Sequence, residues 1–193
     1  MPISVDFQKR ISQLAEDCDC TRTELRTNMN VSSTALSSAI TYGIIPTTKT
    51  LVKMADFFDV SLNYLLGKTE SDNFIRSEKK VSFHERLSEL CAEKNVSYYK
   101  VGLDCGIYDS LISHWFKKGF IPTIELIEIL SDYFNVSPDY LLGRTDFKNW
   151  DTVFSLFLLY QTFVIEVNRL FKAFFVFICR IIAIFVDNGR RYI

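Results

Sequence analysis

Apolar positions along the first 150 or so residues recur every three or four places and nowhere alternate, which is the period of helices and not of strands. In FQKRISQLAEDC, Phe7, Ile11 and Leu14 fall on one helical face. TRTE follows, with Thr21 as N-cap and Glu24 three residues on, the spacing of a capping box. Ser32 opens a further segment, SSTALSSAIT, and Pro46-Thr47 starts a longer one carrying Leu51, Met54, Ala55 and Phe58. Ser61 then caps a short apolar turn that Gly67 stops, as a residue tolerant of left-handed backbone should. The pattern predicts five short helices and no strand.

The same punctuation returns a constant 76 positions later. VSLNYLLGKTE, Val60 to Glu70, becomes VSPDYLLGRTD, Val136 to Asp146, with Ser137 as cap, Pro138 at the first helical position and Gly143 as stop. Residues 5–70 align with 81–146 without a gap, matching at Phe7/Phe83, Arg10/Arg86, Leu14/Leu90, Gly43/Gly119 and Asp56/Asp132 among others. The expected class is therefore all-α, with two tandem domains over 5–70 and 81–146. Between them 71–80, SDNFIRSEKK, is polar and reads as a linker. The 13 residues from Lys68 to Lys80 can extend about 40 Å at ~3.3 Å each, long enough for the two copies to stand apart.

Inside each copy two short helices flank a tight turn. In the second copy SYYKVGLDC and YDSLISHWFKK meet through Gly106-Ile107, with Gly102 at the crossing and Ile107, Ile112 and Trp115 as apolar plugs. In the first, Leu25, Val31 and Leu36 are the plugs and Asn30 takes the turn. Arg26 occupies the small-residue site, so its side chain must swing outward or open the crossing.

With the GIIPT and GFIPT connections and the DYLLGRTD ending, each copy resembles the lambda-repressor/Cro-like helix-turn-helix family of bacterial and phage transcriptional regulators. The resemblance spans 5–70 and 81–146 and nothing beyond. It implies a five-helix fold whose third helix enters the major groove of double-stranded DNA, usually as a repressor and commonly as a dimer. Carried over by position, the DNA-binding residues of the first copy are Ser32, Ser33, Thr34, Ser37, Ser38 and Thr41, with Arg22 as a phosphate clamp where the family places glutamine. In the second copy they are Tyr108, Asp109, Ser110, Ser113, His114, Lys117 and Lys118, with Tyr98 at the glutamine position. Hydroxyls donate to base edges or phosphates but read sequence loosely, whereas Asp109 accepts from cytosine and is repelled by phosphates.

Charge complicates this expectation. The whole chain carries −1, with a globular balance of 48% hydrophobic and 23% charged residues. Residues 1–76 hold 8 basic and 9 acidic side chains, and 81–146 hold 6 and 10, a net −4. DNA binding rests on neutralising phosphates, so each copy depends on a thin basic patch: Arg22, Arg26 and Lys49 in one, Lys100, Lys117 and Lys118 in the other. Weak, salt-sensitive binding per copy is expected, strengthened by linkage. The rival expectation is a protein-interaction or membrane-associated module in which one or both copies no longer bind DNA. Tyr98, Tyr99 and Trp115 are expected in the core. No catalytic set, cofactor motif or metal-ligand spacing appears. Cys18 and Cys20 are two apart, and His84 and His114 stand far from them, so reduced thiols and no enzyme are expected.

After Asp146 the composition shifts. VFSLFLLYQTFVIEVNRLFKAFFVFICRIIAIFV, 153–186, lies in a hydrophobic, helical extension predicted over 147–193. Glu166, Arg169, Lys172 and Arg180 break it, and its longest charge-free run is 13 residues, short of the ~18 of an uncharged span. Such a surface calls for cover. Self-association into a homo-oligomer, membrane contact, or an uninformative extension are the three alternatives. The opening MPISVDFQKR has no apolar core of a secretory kind, so a cytoplasmic chain, with membrane contact through 153–186 as the variant, is the expectation.

Overall fold

The helix-start signals of the sequence reappear as helix starts in the computed structural model, which describes residues 2–72 and 74–149, the side chain of Asp109 excepted. Among the described residues the chain is all-α, and one isolated bridge, Ile3 to Ile44, is the extent of its β pairing. The first five helices are α1 (Val5–Asp17), α2 (Arg22–Asn28), α3 (Ser33–Tyr42), α4 (Thr48–Phe58) and α5 (Leu62–Leu65). The second five are α6 (Phe83–Lys94), α7 (Tyr98–Asp104), α8 (Asp109–Lys118), α9 (Ile124–Phe134) and α10 (Pro138–Leu141). From α2 to α5 every boundary recurs 76 positions later in α7 to α10. The leading helices differ because Ser4 caps one and Ser82 the other.

Thr21 and Glu24 form the expected capping box, and Ser82 and Glu85 form a second that the S-x-x-E spacing also encodes. The Thr21 hydroxyl and N–H both donate to Glu24, at 2.7 and 2.8 Å, and hold its carboxyl below the usual carboxylate range. The Ser82 N–H and hydroxyl, each at 2.8 Å, do the same to Glu85. A depressed folded-state pKa stabilises the fold above the unfolded value, near ~4.3, and that stabilisation is lost as pH falls through the folded one. The melting temperature should therefore drop below about pH 4, and Glu24→Gln with Glu85→Gln should flatten that drop. An unchanged acid slope in thermal melts would remove the two boxes from the pH response.

The core of the first copy gathers Phe7, Ile11, Leu25, Leu36, Leu51, Met54, Leu62 and Leu65, all buried. The second gathers Phe83, Leu87, Ile112, Trp115, Ile127, Leu130 and Leu141. At roughly 1.5–3 kcal/mol per buried large side chain, these residues dominate each copy's stability.

The repeated ending has a mechanical job. The Arg10 guanidinium lies 4.1 Å over the Tyr64 ring and donates to Tyr64 Oη and to Glu70, at 3.3 and 2.8 Å. Arg86 lies 4.2 Å over Tyr140 and reaches Tyr140 Oη and Asp146 at 3.2 and 3.4 Å. The tyrosine and closing acid of YLLGKTE and YLLGRTD thus strap the last helix of each copy to its first.

A second function of the ending distinguishes the copies. Asp139 and Arg144 are both buried and paired. Asp139 Oδ2 accepts from the Leu62 N–H at 2.9 Å, across from α10 to α5. Arg144 Nε donates to Asp56 at 2.9 Å and its Nη2 to the Val60 carbonyl at 2.9 Å. Lys68 pairs with Glu128 at 2.8 Å, and the Thr48 hydroxyl donates to the Pro122 carbonyl at 2.6 Å. At the matching positions of the first copy stand Asn63 and Lys68, so the buried ion pair exists on one side only. The contacts are reciprocal: α4 meets the ending of the second copy, and the ending of the first meets α9. The reciprocity holds element by element, as in a two-fold arrangement, although the acids are not equivalent: Asp56 repeats as Asp132, one helical turn from the Glu128 that Lys68 meets.

The segment between the copies, read as a linker, makes long-range contacts. Phe74 lies under the Arg144 guanidinium at 4.5 Å, and Arg76 donates to the Asp56 carbonyl and to Asp59 at 2.7 and 2.9 Å. The Ser77 N–H donates to the Arg144 carbonyl at 2.8 Å. Phe74, Arg76 and Ser77 thus fix the segment to both copies, and residues 2–149 belong to one compact unit. Lys148 and Asn149 fold back on the second copy, through Ser137 N–H to the Lys148 carbonyl at 2.6 Å and Asn149 Nδ2 to the Asn135 carbonyl at 2.8 Å. The expected hydrophobic helix, and with it self-association or membrane contact through 153–186, lies outside the described residues. Among the described residues no helix is long and apolar enough to cross a membrane.

Candidate nucleic-acid interface

α2 and α3 are joined by a turn in which Asn30 adopts φ 53°, and α7 and α8 by one in which Gly106 adopts φ 66°. Left-handed backbone is required at the same repeat position, and asparagine satisfies it in one copy as glycine does in the other. Leu25 and Leu36 are buried and Val31 half-buried beneath α3. Gly102, Ile107, Ile112 and Trp115 are buried beneath α8. Arg26 resolves its conflict by turning to solvent.

On α3, Ser33, Thr34, Ser37 and Thr41 are exposed and Ser38 half-buried. Ser32 is exposed, and its hydroxyl is engaged as N-cap, accepting from the Ala35 N–H at 3.1 Å. Arg22 is exposed at the start of α2. On the second copy, Tyr108 stands 83% exposed at the N-cap of α8 and gives no side-chain cap bond. Asp109 opens α8, and its side chain lies outside what is described. Ser110, Ser113, His114, Lys117 and Lys118 are exposed, the two lysines in the last turn, where their charge complements the helix dipole. The His114 ring stacks at 5.5 Å on Phe120, itself exposed.

The expected basic patch of the second copy shrinks. Lys100 is paired with Asp104 at 2.6 Å, one helical turn away, and Asp104 also accepts from Tyr133 Oη at 3.1 Å. That leaves Lys117 and Lys118 from the expected trio. Trp115 is in the core as expected, whereas Tyr98 is 38% and Tyr99 64% exposed. Tyr98 rests on Phe116 at 4.7 Å and shares a hydrogen bond with the Ser88 hydroxyl at 2.7 Å, which anchors it at the rim of the core. Tyr99 lies one position further round a short amphipathic helix, which turns it to water.

Two positioning residues escaped the sequence reading. Gln8 Nε2 donates to the Thr41 and Ile40 carbonyls at 2.7 and 3.2 Å, tying the last turn of α3 to α1. His84, at the matching repeat position, bonds the Trp115 carbonyl at 3.0 Å through Nε2 and so ties α8 to α6. Gln8 satisfies carbonyls that the end of α3 leaves without a helical partner, whereas His84 adds a bond to a carbonyl that already accepts from the Gly119 and Phe120 N–H groups. Their shared position in the repeat was the available signal, masked by unlike residue types.

No protein-family model, curated protein or solved structure matches the chain.

Proposed function

We propose that the protein is a sequence-specific DNA-binding transcriptional regulator, repressing in mode, built of two lambda-repressor-like helix-turn-helix copies that lay α3 and α8 in the major groove. The observation that carries this reading is the mounting of those helices. Each is seated on its partner through a left-handed residue at the same repeat position, Asn30 or Gly106, over buried plugs, with its polar face exposed. Occupancy of a cytoplasmic operator is the action such a device performs.

A salt titration of the full-length chain on random-sequence duplex tests it. Affinity should fall steeply with salt, and Lys117→Glu with Lys118→Glu should reduce the slope of log K against log salt by about 2, roughly 0.9 per lost phosphate contact. Absence of binding at low salt would sink the reading. A second reading has its own support: Tyr99, Leu103, Tyr108, Phe120 and Ile121 are exposed apolar side chains on a copy of net −4, a composition suited to a protein partner. Binding indifferent to the lysine reversals would favour that role for the second copy.

A further inference from the structure

We infer that one chain recognises one duplex as two unlike half-sites in inverted order at fixed spacing, without a second copy of itself; this rests on the DNA-binding reading above. The joint between copies is reciprocal by element, α4 (Asp56) with Arg144 of the second ending and α9 (Glu128) with Lys68 of the first, and so approximates a two-fold. Two helices related by such a two-fold read the duplex in opposite directions, as the halves of a symmetric dimer do. Here, however, both halves belong to one polypeptide. No residue of that joint lies on α3 or α8, so both helices stay open to a ligand.

Spacing is set by burial. Arg144 is enclosed with Asp139, bonded to the Val60 carbonyl, and backed by Phe74 of the connecting segment. A buried charge cannot leave its partners without a large desolvation cost, so the copies do not slide to suit a longer or shorter site.

The half-sites differ because the helices differ. α3 offers neutral hydroxyls from Ser33, Thr34 and Ser37, which discriminate bases loosely. α8 offers the His114 ring and the Lys117 ammonium, donors suited to the O6 and N7 acceptors of guanine. The α8 half of the site is therefore guanine-bearing and the more sharply defined.

Selection of random duplexes by the full-length chain at low salt tests this. The expected product is a two-part site with unlike halves, bound by one chain per duplex in a mass measurement. Ser33→Ala with Ser37→Ala should relax one half alone, and Ser113→Ala with His114→Ala the other alone. Inserting five base pairs between the halves turns one to the opposite face of the helix. Affinity should then fall by about 10²-fold as the linked second contact is lost. A true palindrome bound by two chains, or indifference to the insertion, would overturn the inference while leaving DNA binding intact. Failure to select any sequence, with no low-salt binding to random duplex, would overturn the DNA reading and this inference with it.

Discussion

Arg144→Ala should cost about 3–5 kcal/mol of unfolding free energy, read by urea denaturation of the full-length chain. The guanidinium is buried, and it serves Asp139, Asp56 and the Val60 carbonyl at once. Removing it strands Asp139, which is 1% exposed and keeps the Leu62 N–H as its inter-copy donor. Burial already pushes the Asp139 carboxyl up, against the pull of Arg144. Without that pull its pKa rises further. A raised folded-state pKa makes the charged carboxyl costly only at high pH, so the deficit of the variant should narrow on acidification as the stranded group takes up a proton. Lys68→Ala, at the matching position of the first copy, provides the contrast. Lys68 is half-exposed and its pair with Glu128 is screened, so the change should stay within about 0.5 kcal/mol. Equal losses at the two positions would show that the joint is a surface contact and not a buried one.

Gly143→Ala should destabilise by about 3 kcal/mol, combining a left-handed backbone penalty of roughly 1–2 with an overpacking penalty of similar size. Gly143 holds φ 70°, and a Cβ there would overlap the Val81 carbonyl oxygen at the entrance to α6. Gly106 holds φ 66° with open space around its would-be Cβ, so Gly106→Ala should cost about 1 kcal/mol, the backbone term alone. Gly106→Asn should cost less still, because Asn30 already occupies the equivalent turn. Thermal or urea unfolding of the three variants would rank them. If Gly143→Ala matched Gly106→Ala, the close approach of the repeated ending to the start of its own copy would play no part in stability.

These two sites differ in how legible they were. The glycine stop was predicted from the end of an apolar turn, and the turn at Asn30 from its place in the repeat. Helix starts were predicted in the same way, and the second capping box, Ser82 with Glu85, was equally legible in the spacing. By contrast, Asp139 and Arg144 sit in a stretch, DYLLGRTD, whose charges look solvated. The 71–80 segment reads as a linker because it is polar, yet Phe74, Arg76 and Ser77 find long-range partners that hold it down. Lys100 counted toward a basic patch until Asp104 one turn away claimed it.

The sequence by itself determined the helices, their caps and stops, the 76-residue repeat and the two exposed helices that follow left-handed turns. These features depend on bonds between residues three to five apart, which periodicity and spacing encode directly. Only the tertiary structure decided that the members of one copy's buried ion pair bond the other copy at Leu62, Asp56 and Val60, that the linker is held down, and that Gln8 and His84 steady α3 and α8. Those outcomes depend on which distant group meets a given charge or carbonyl once the core has formed. A local pattern carries no record of that, because the same arginine is stable in water or, as here, inside a ring of acceptors.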